Sequence, residues 1–67
     1  MANYYIKRTT KEGKDYVFNM NVMEWENTDV PTTFVCKKKD AEYFLDCATN
    51  EYLHPTAKEE NARIVKQ

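Results

Sequence analysis

The period of the apolar residues changes near Lys37 from that of a strand to that of a helix, and that change restricts the fold more than any other feature. Before it, Tyr16, Phe18, Met20 and Val22 hold the even positions of one segment, while Asn19 and Asn21 interrupt the odd ones. Successive side chains of a strand point to opposite faces, so the even set should face a core and Val17, Met23 and Trp25 should face away. After it, Ala41, Phe44, Leu45, Ala48 and Tyr52 recur at three- and four-residue spacing, a single helical stripe. Strand and helix each have one apolar face and must bury it against the other.

The other elements follow from local signals. Residues 4–8 are β-prone, and residues 9–15 hold the chain's one glycine, Gly13, where a hairpin turn needs positive φ. Asn, Asp and Pro break the pattern over 27–31, after which 32–36 should form a third strand with Phe34 and Cys36 on one face. The helix should close before Pro55, and Thr49 with Asn50 can end it sooner. A polar connector over 54–61 leaves room for one helical turn. The β-prone run 62–66 then adds a strand with Ile64 inward and Arg63 and Val65 outward. The expected fold is α+β: a small antiparallel sheet in the order β-β-β-α-β, one amphipathic helix on one face, and a single domain over residues 1–67. The second sheet face should stay open, carrying some of Tyr5, Val17, Met23, Trp25, Val35 and Val65, and is the candidate interaction surface.

Size limits what such a domain can do. A chain of 67 residues buries only about 60% of its unfolded surface, which leaves little core volume for an internal active site. Its formal charge of −1 gives no general attraction to nucleic acid or anionic lipid. The charge is laid out in blocks: net +3 over residues 1–14, −4 over 15–29, +3 at Lys37, Lys38 and Lys39, then −4 from Asp40, Glu42, Asp46 and Glu51. The bland account of these blocks is solvated strand ends and a solvated helix face. The functional account is a two-signed surface that orients a partner.

Catalytic constellations are thin. Cys36 and Cys47 fit no zinc spacing and read as reduced, buried residues of an intracellular protein, with a disulfide as the alternative. His54 is the one histidine that could serve either cysteine as a base, but its place before Pro55 reads as a turn or helix end. Glu24, Glu26 and Asp29 lack the glycine and terminal glutamate of an EF-hand loop, and one glycine cannot build a phosphate-cradling loop. No enzyme, metal or cofactor is expected. No apolar run has the roughly 20 residues of a membrane helix, so a cytoplasmic location is expected.

Two binding readings remain. In the first, Met23, Trp25 and Tyr5 anchor a protein partner within an acidic rim of Glu24, Glu26 and Asp29. Trp25 has an alternative role, folding over the sheet edge to cover core. A homodimer through the second sheet face is compatible with this reading. The runner-up is a single-stranded nucleic-acid binder, with Lys7, Arg8, Lys11, Lys14, Lys37, Lys38 and Lys39 following the backbone and Tyr4, Tyr5 and Tyr16 stacking on bases.

Several segments together carry a resemblance: Tyr4-Tyr5-Ile6-Lys7, Trp25, Thr32-Thr33-Phe34, Lys37-Lys38-Lys39-Asp40-Ala41-Glu42 with Phe44-Leu45, and Ile64-Val65-Lys66. In this outline the chain resembles small phage- or prophage-encoded proteins built on a hairpin-strand-helix-strand pattern. The resemblance implies a modulator or inhibitor that binds a host protein.

Overall fold

The computed structural model describes residues 2–27 and 35–67. Among them, four antiparallel strands form one sheet: β1 (Tyr4–Thr9), β2 (Asp15–Asn19), β3 (Glu24–Glu26) and β4 (Arg63–Lys66), in the order β3-β2-β1-β4. Helix α1 (Lys38–Ala48) and a 3-10 turn at Lys58–Glu60 precede β4. Helix α1 packs on β1 and β4. The expected α+β class is the one the chain adopts.

The first hairpin forms where the glycine places it. Thr10 N donates to Lys14 O at 2.8 Å, Gly13 N donates to Thr10 O at 2.9 Å, and Gly13 takes a φ of 85°. Thr10 Oγ1 accepts a further bond from Lys14 N at 3.1 Å. At the other end, β4 pairs with β1 so that Ile64 lies opposite Ile6, and Arg63 and Val65 share the far face with Lys7 and Tyr5.

Two expectations need correction. The strand through residues 16–23 stops at Asn19, whose Oδ1 accepts from Asn21 N at 2.9 Å and starts a turn. Met23 adopts a φ of 58°, and the chain reverses into β3. The reversal resets the alternation: Phe18 lies opposite Trp25, so an odd residue joins the even core face. Trp25 and Met23 therefore pack on the core, while Val22 sits in the turn, 61% exposed. Val17 does lie on the far face, between Lys7 and Glu26 in register, yet it is fully buried.

Only Val35 and Cys36 of the strand expected over 32–36 are among the described residues. Its residues Thr32, Thr33 and Phe34, like Asp29 and Pro31, lie outside the described residues. Cys36 makes an isolated bridge with Tyr4, exchanging two backbone bonds of 2.8 and 2.9 Å. Tyr4 pairs with Lys66 on its other side, so Cys36 occupies the flank of β1 that β2 has left.

The second correction is that the helical stripe ends at Ala48 and excludes Tyr52. Thr49 Oγ1 donates to Leu45 O at 2.8 Å and Thr49 N donates to the same carbonyl at 3.0 Å, closing the helix. Asn50 Oδ1 then accepts from Tyr52 N at 2.9 Å and from Leu53 N at 3.3 Å. An Asn side chain that takes over backbone donors this way competes with the next helical turn.

Between the layers, Ile6, Phe18 and Ala48 are fully buried, with Met20, Met23, Trp25, Phe44, Leu45 and Ile64 packed around them. Among the described residues, half of the fully buried apolar ones are alanines, Ala41, Ala48 and Ala57. Such small residues bring the backbones close and leave the aromatic rings to fill the remaining volume.

Gly13→Ala should lower stability by about 1 kcal/mol in urea unfolding. A Cβ there meets no atom within 4 Å, so the whole effect comes from positive φ. Gly13→Asn should lose less, since asparagine tolerates the left-handed region.

Candidate functional site

The acidic, tryptophan-bearing segment turns inward at its aromatic residue. Trp25 packs edge-on against Phe18, with ring centroids 5.3 Å apart and planes at 64°. Its Nε1 donates to Ala48 O at 3.2 Å, a carbonyl in the last turn of α1. Met23 joins the same core. Neither residue stands on the far sheet face, where both were read as outward anchors; Trp25 takes its alternative role and covers core. Glu24 and Glu26 are exposed on that face, Tyr5 is half-buried there, and Asp29 lies outside the described residues.

Arg8, a candidate phosphate contact, is committed to the fold. Its guanidinium carbon sits 4.8 Å from the centroid of Trp25 and 5.0 Å from that of Tyr16. Nη1 pairs with Glu60 Oε1 at 3.1 Å and donates to Thr56 Oγ1 at 3.4 Å. Register places Arg8 opposite Tyr16, on the face that carries Phe18 and Trp25. This cation therefore ties the connector over 54–61 to the sheet. His54, from the same connector, packs edge-on against Phe18 at 5.5 Å.

The parts of a nucleophile-base pair remain separate. Cys36 and Cys47 are free and half-buried, and among the described residues the His54 ring makes no hydrogen bond to either. Burial raises the Cys36 thiol above its ordinary pKa, with the Asp40 charge adding to the effect. That shift leaves less thiolate, the opposite of nucleophile activation. Among the described residues no three His, Cys, Asp or Glu side chains cluster as they would around a metal ion.

Polar contacts knit much of the sheet face away from α1. Thr9 Oγ1 donates to Asp15 Oδ1 at 2.8 Å, Lys7 Nζ pairs with Asp15 Oδ2 at 3.3 Å, and Arg63 Nη2 donates to Thr9 Oγ1 at 3.5 Å. Asn19 Nδ2 donates to Glu26 Oε2 further along. Tyr5 lies opposite Val65 at the end of this face.

The lysines fall into two sets. Lys11 and Lys14 lie in the hairpin beyond the C-terminal end of β1, whereas Lys37, Lys38 and Lys39 follow Cys36 at its N-terminal end. Six strand residues separate the ends by about 17 Å, and Lys7 between them is paired with Asp15. Tyr4 and Tyr16 share the helix side with Ile6 and Phe18, while Tyr5 faces the other way. These tyrosines do not make one stacking platform.

Large apolar side chains do reach solvent on the helical layer. Tyr52 is 96% exposed and Leu53 67%, next to each other in the turn that Asn50 holds. Beside them a groove of about 350 Å³ is lined by Glu51, Pro55, Lys58 and Glu59. Sequence reasoning placed Tyr52 on the buried stripe and passed over Leu53. The signal that separates them from the core is the Thr49-Asn50 stop, since Tyr52 belongs to the stripe only if the helix runs one more turn.

No protein-family model, no curated protein and no solved structure matches this chain. Among the described residues no helix is long and apolar enough to cross a membrane.

Trp25→Ala should cost about 3 kcal/mol in urea unfolding, as expected for removing an aromatic that fills core. A loss within about 0.5 kcal/mol would assign Trp25 to the surface instead. The Thr9 and Lys7 contacts lower the Asp15 pKa, and their contribution to stability is fully present above the ordinary value of 3.8. It is lost as the pH falls through the lower folded value. The stability difference between the wild type and Asp15→Asn should therefore narrow on acidification below 3.8, as read by thermal unfolding across acid pH.

Proposed function

We propose that this protein is a non-enzymatic protein-binding module that works in the cytoplasm as a modulator or inhibitor of a host protein. The observation that carries the reading is the exposed Tyr52-Leu53 pair beside the groove of Glu51, Pro55, Lys58 and Glu59. Tyrosine offers a large, stiff contact area at low entropic cost, and the Asn50 bonds already hold this turn in one conformation. Nearly all of the Tyr52 side chain is available to a partner. Glu24 and Glu26 add exposed carboxylates that favour a basic target surface. In this reading the aromatic anchor moves from Trp25 to Tyr52, while the acidic contribution of the β3 segment is retained.

The resemblance to phage- and prophage-encoded proteins directs the search to a bacterial host factor. Nucleic-acid binding ranks second because Lys7 and Arg8 are paired within the fold and the remaining lysines divide between two ends of β1.

The test is affinity capture from bacterial lysate with the wild type, a Tyr52→Ser/Leu53→Ser variant and a Glu24→Lys/Glu26→Lys variant. A host protein retained by the wild type should be lost from the turn variant, whose stability should stay within about 0.5 kcal/mol of the wild type. The acidic variant should weaken the catch more at low salt than at high salt. An undiminished catch by a folded Tyr52→Ser/Leu53→Ser variant would overturn the assignment of this surface.

A further inference from the structure

The inner stripe of α1, Ala41, Phe44, Leu45 and Ala48, lies against the sheet, while Lys39, Glu42, Tyr43 and Asp46 remain exposed. At about 100° per residue, Lys39, Tyr43 and Asp46 fall within about 60° of one another, on the side opposite that stripe. Tyr43 is 63% exposed and is the central residue of the helix. Its ring rests edge-on against Phe44 at 5.4 Å, which steadies it at the surface.

Charge along this helix runs mostly against its macrodipole. Lys37, Lys38 and Lys39 stand at the N-terminal end, where positive charge is disfavoured. The last turn has no basic residue; it carries Asp46, and Glu51 lies just beyond. Asp40 is the exception, an acidic residue in the first turn, about 100° around from Lys39. Neither salt bridge among the described residues involves α1. The ion pairs among the described residues leave this order of charges unexplained.

A second copy of the chain does account for it. We propose that the protein forms a weak two-fold dimer through the outer face of α1, with the helices antiparallel and the axis passing beside Tyr43. Lys39 and Asp46 lie almost symmetrically about Tyr43, so an antiparallel partner brings each Lys39 level with the other copy's Asp46. The two ion pairs then flank stacked Tyr43 rings. A two-fold contact uses the same patch on both copies, and this patch is self-complementary in its pattern of charge. One short helical face covers less than the roughly 800 Å² per partner of a standard stable interface. The dimer is therefore concentration-dependent and weakened by salt. This inference is independent of the Tyr52-Leu53 reading.

The experiment is analytical ultracentrifugation over a broad concentration series at low and high salt, using the wild type, Lys39→Glu, Asp46→Lys and an equimolar mixture of the two variants. Wild type should associate at low salt. Each variant alone should associate at least about tenfold more weakly, because it juxtaposes like charges at both contacts. The mixture should recover association as a heterodimer. In it the new carboxylate at position 39 of one copy meets the new ammonium at position 46 of the other, and the unaltered Asp46 and Lys39 meet at the second contact. Both substitutions improve the match to the helix dipole, so melting temperatures should hold or rise while association falls. That opposition separates a lost interface from a damaged fold. A wild type that stays monomeric throughout, variants that associate like wild type, or a mixture that fails to recover association would overturn the proposal.

Discussion

The contact between Phe18 and Trp25 is the constraint on which the rest of the structure depends. Strand β3 has only three residues, and isolated pairing of that length is marginal in water. What holds it is the Trp25 ring, set against Phe18 on one side and bonded through Nε1 to the end of α1 on another. Helix ends leave carbonyls without intrahelical partners, and the indole N–H satisfies the one at Ala48. Arg8 lies over the same indole and reaches Glu60, while His54 meets the other partner of the pair, Phe18. Edge strand, helix terminus and connector all converge on two rings.

Using those rings inside decides what remains outside. A core half made of alanine at its buried positions can use every large aromatic that reaches it. The far sheet face is left with a lattice of Lys7, Thr9, Asp15 and Arg63, whose donors and acceptors are already engaged with one another. Detaching that lattice to seat an apolar partner would expose paired charges without new bonds to replace them. Among the described residues neither ion pair involves α1, so its outer face carries no such lattice. Tyr43, Tyr52 and Leu53 face water on the helical layer with little to lose on being covered, so the balance of desolvation favours recognition on that side.

Much of the architecture was legible because it rests on short-range chemistry. Gly13 marks a turn that needs positive φ, Ile64 alternates with Arg63 and Val65, and Ala41, Phe44, Leu45 and Ala48 describe a helix whichever sheet they meet. The placement of Trp25 was not legible, and the cause is equally local. Asn19 diverts the chain by accepting a hydrogen bond from Asn21, and the reversal exchanges the faces of the β3 residues that follow. Alternation read through residue 23 as one strand therefore gives the correct inward face for Phe18 and the wrong one for Trp25. Arg8 was misread for the opposite reason. Its charge suggested phosphate, whereas its parity with Ile6 already placed it on the core side, where the ring faces of Tyr16 and Trp25 receive it.

The stop at Thr49 and Asn50 links the two surfaces of the helical layer. Had α1 continued, Tyr52 would follow Ala48 by four residues and extend the buried stripe, leaving no aromatic at the turn. Continuation would also move the centre of the helix away from Tyr43 and carry Glu51 into its C-terminal turn. The Asn50 carboxamide prevents both by taking the amides of Tyr52 and Leu53, bonds that a further helical turn would need for itself. Thr49 reinforces the stop by returning its hydroxyl to Leu45. A pair of polar residues thus determines where the inner stripe ends, which aromatic side chains remain in water, and how the charges of α1 are spaced about its midpoint. The two surfaces proposed on the helical layer are in this sense products of helix termination.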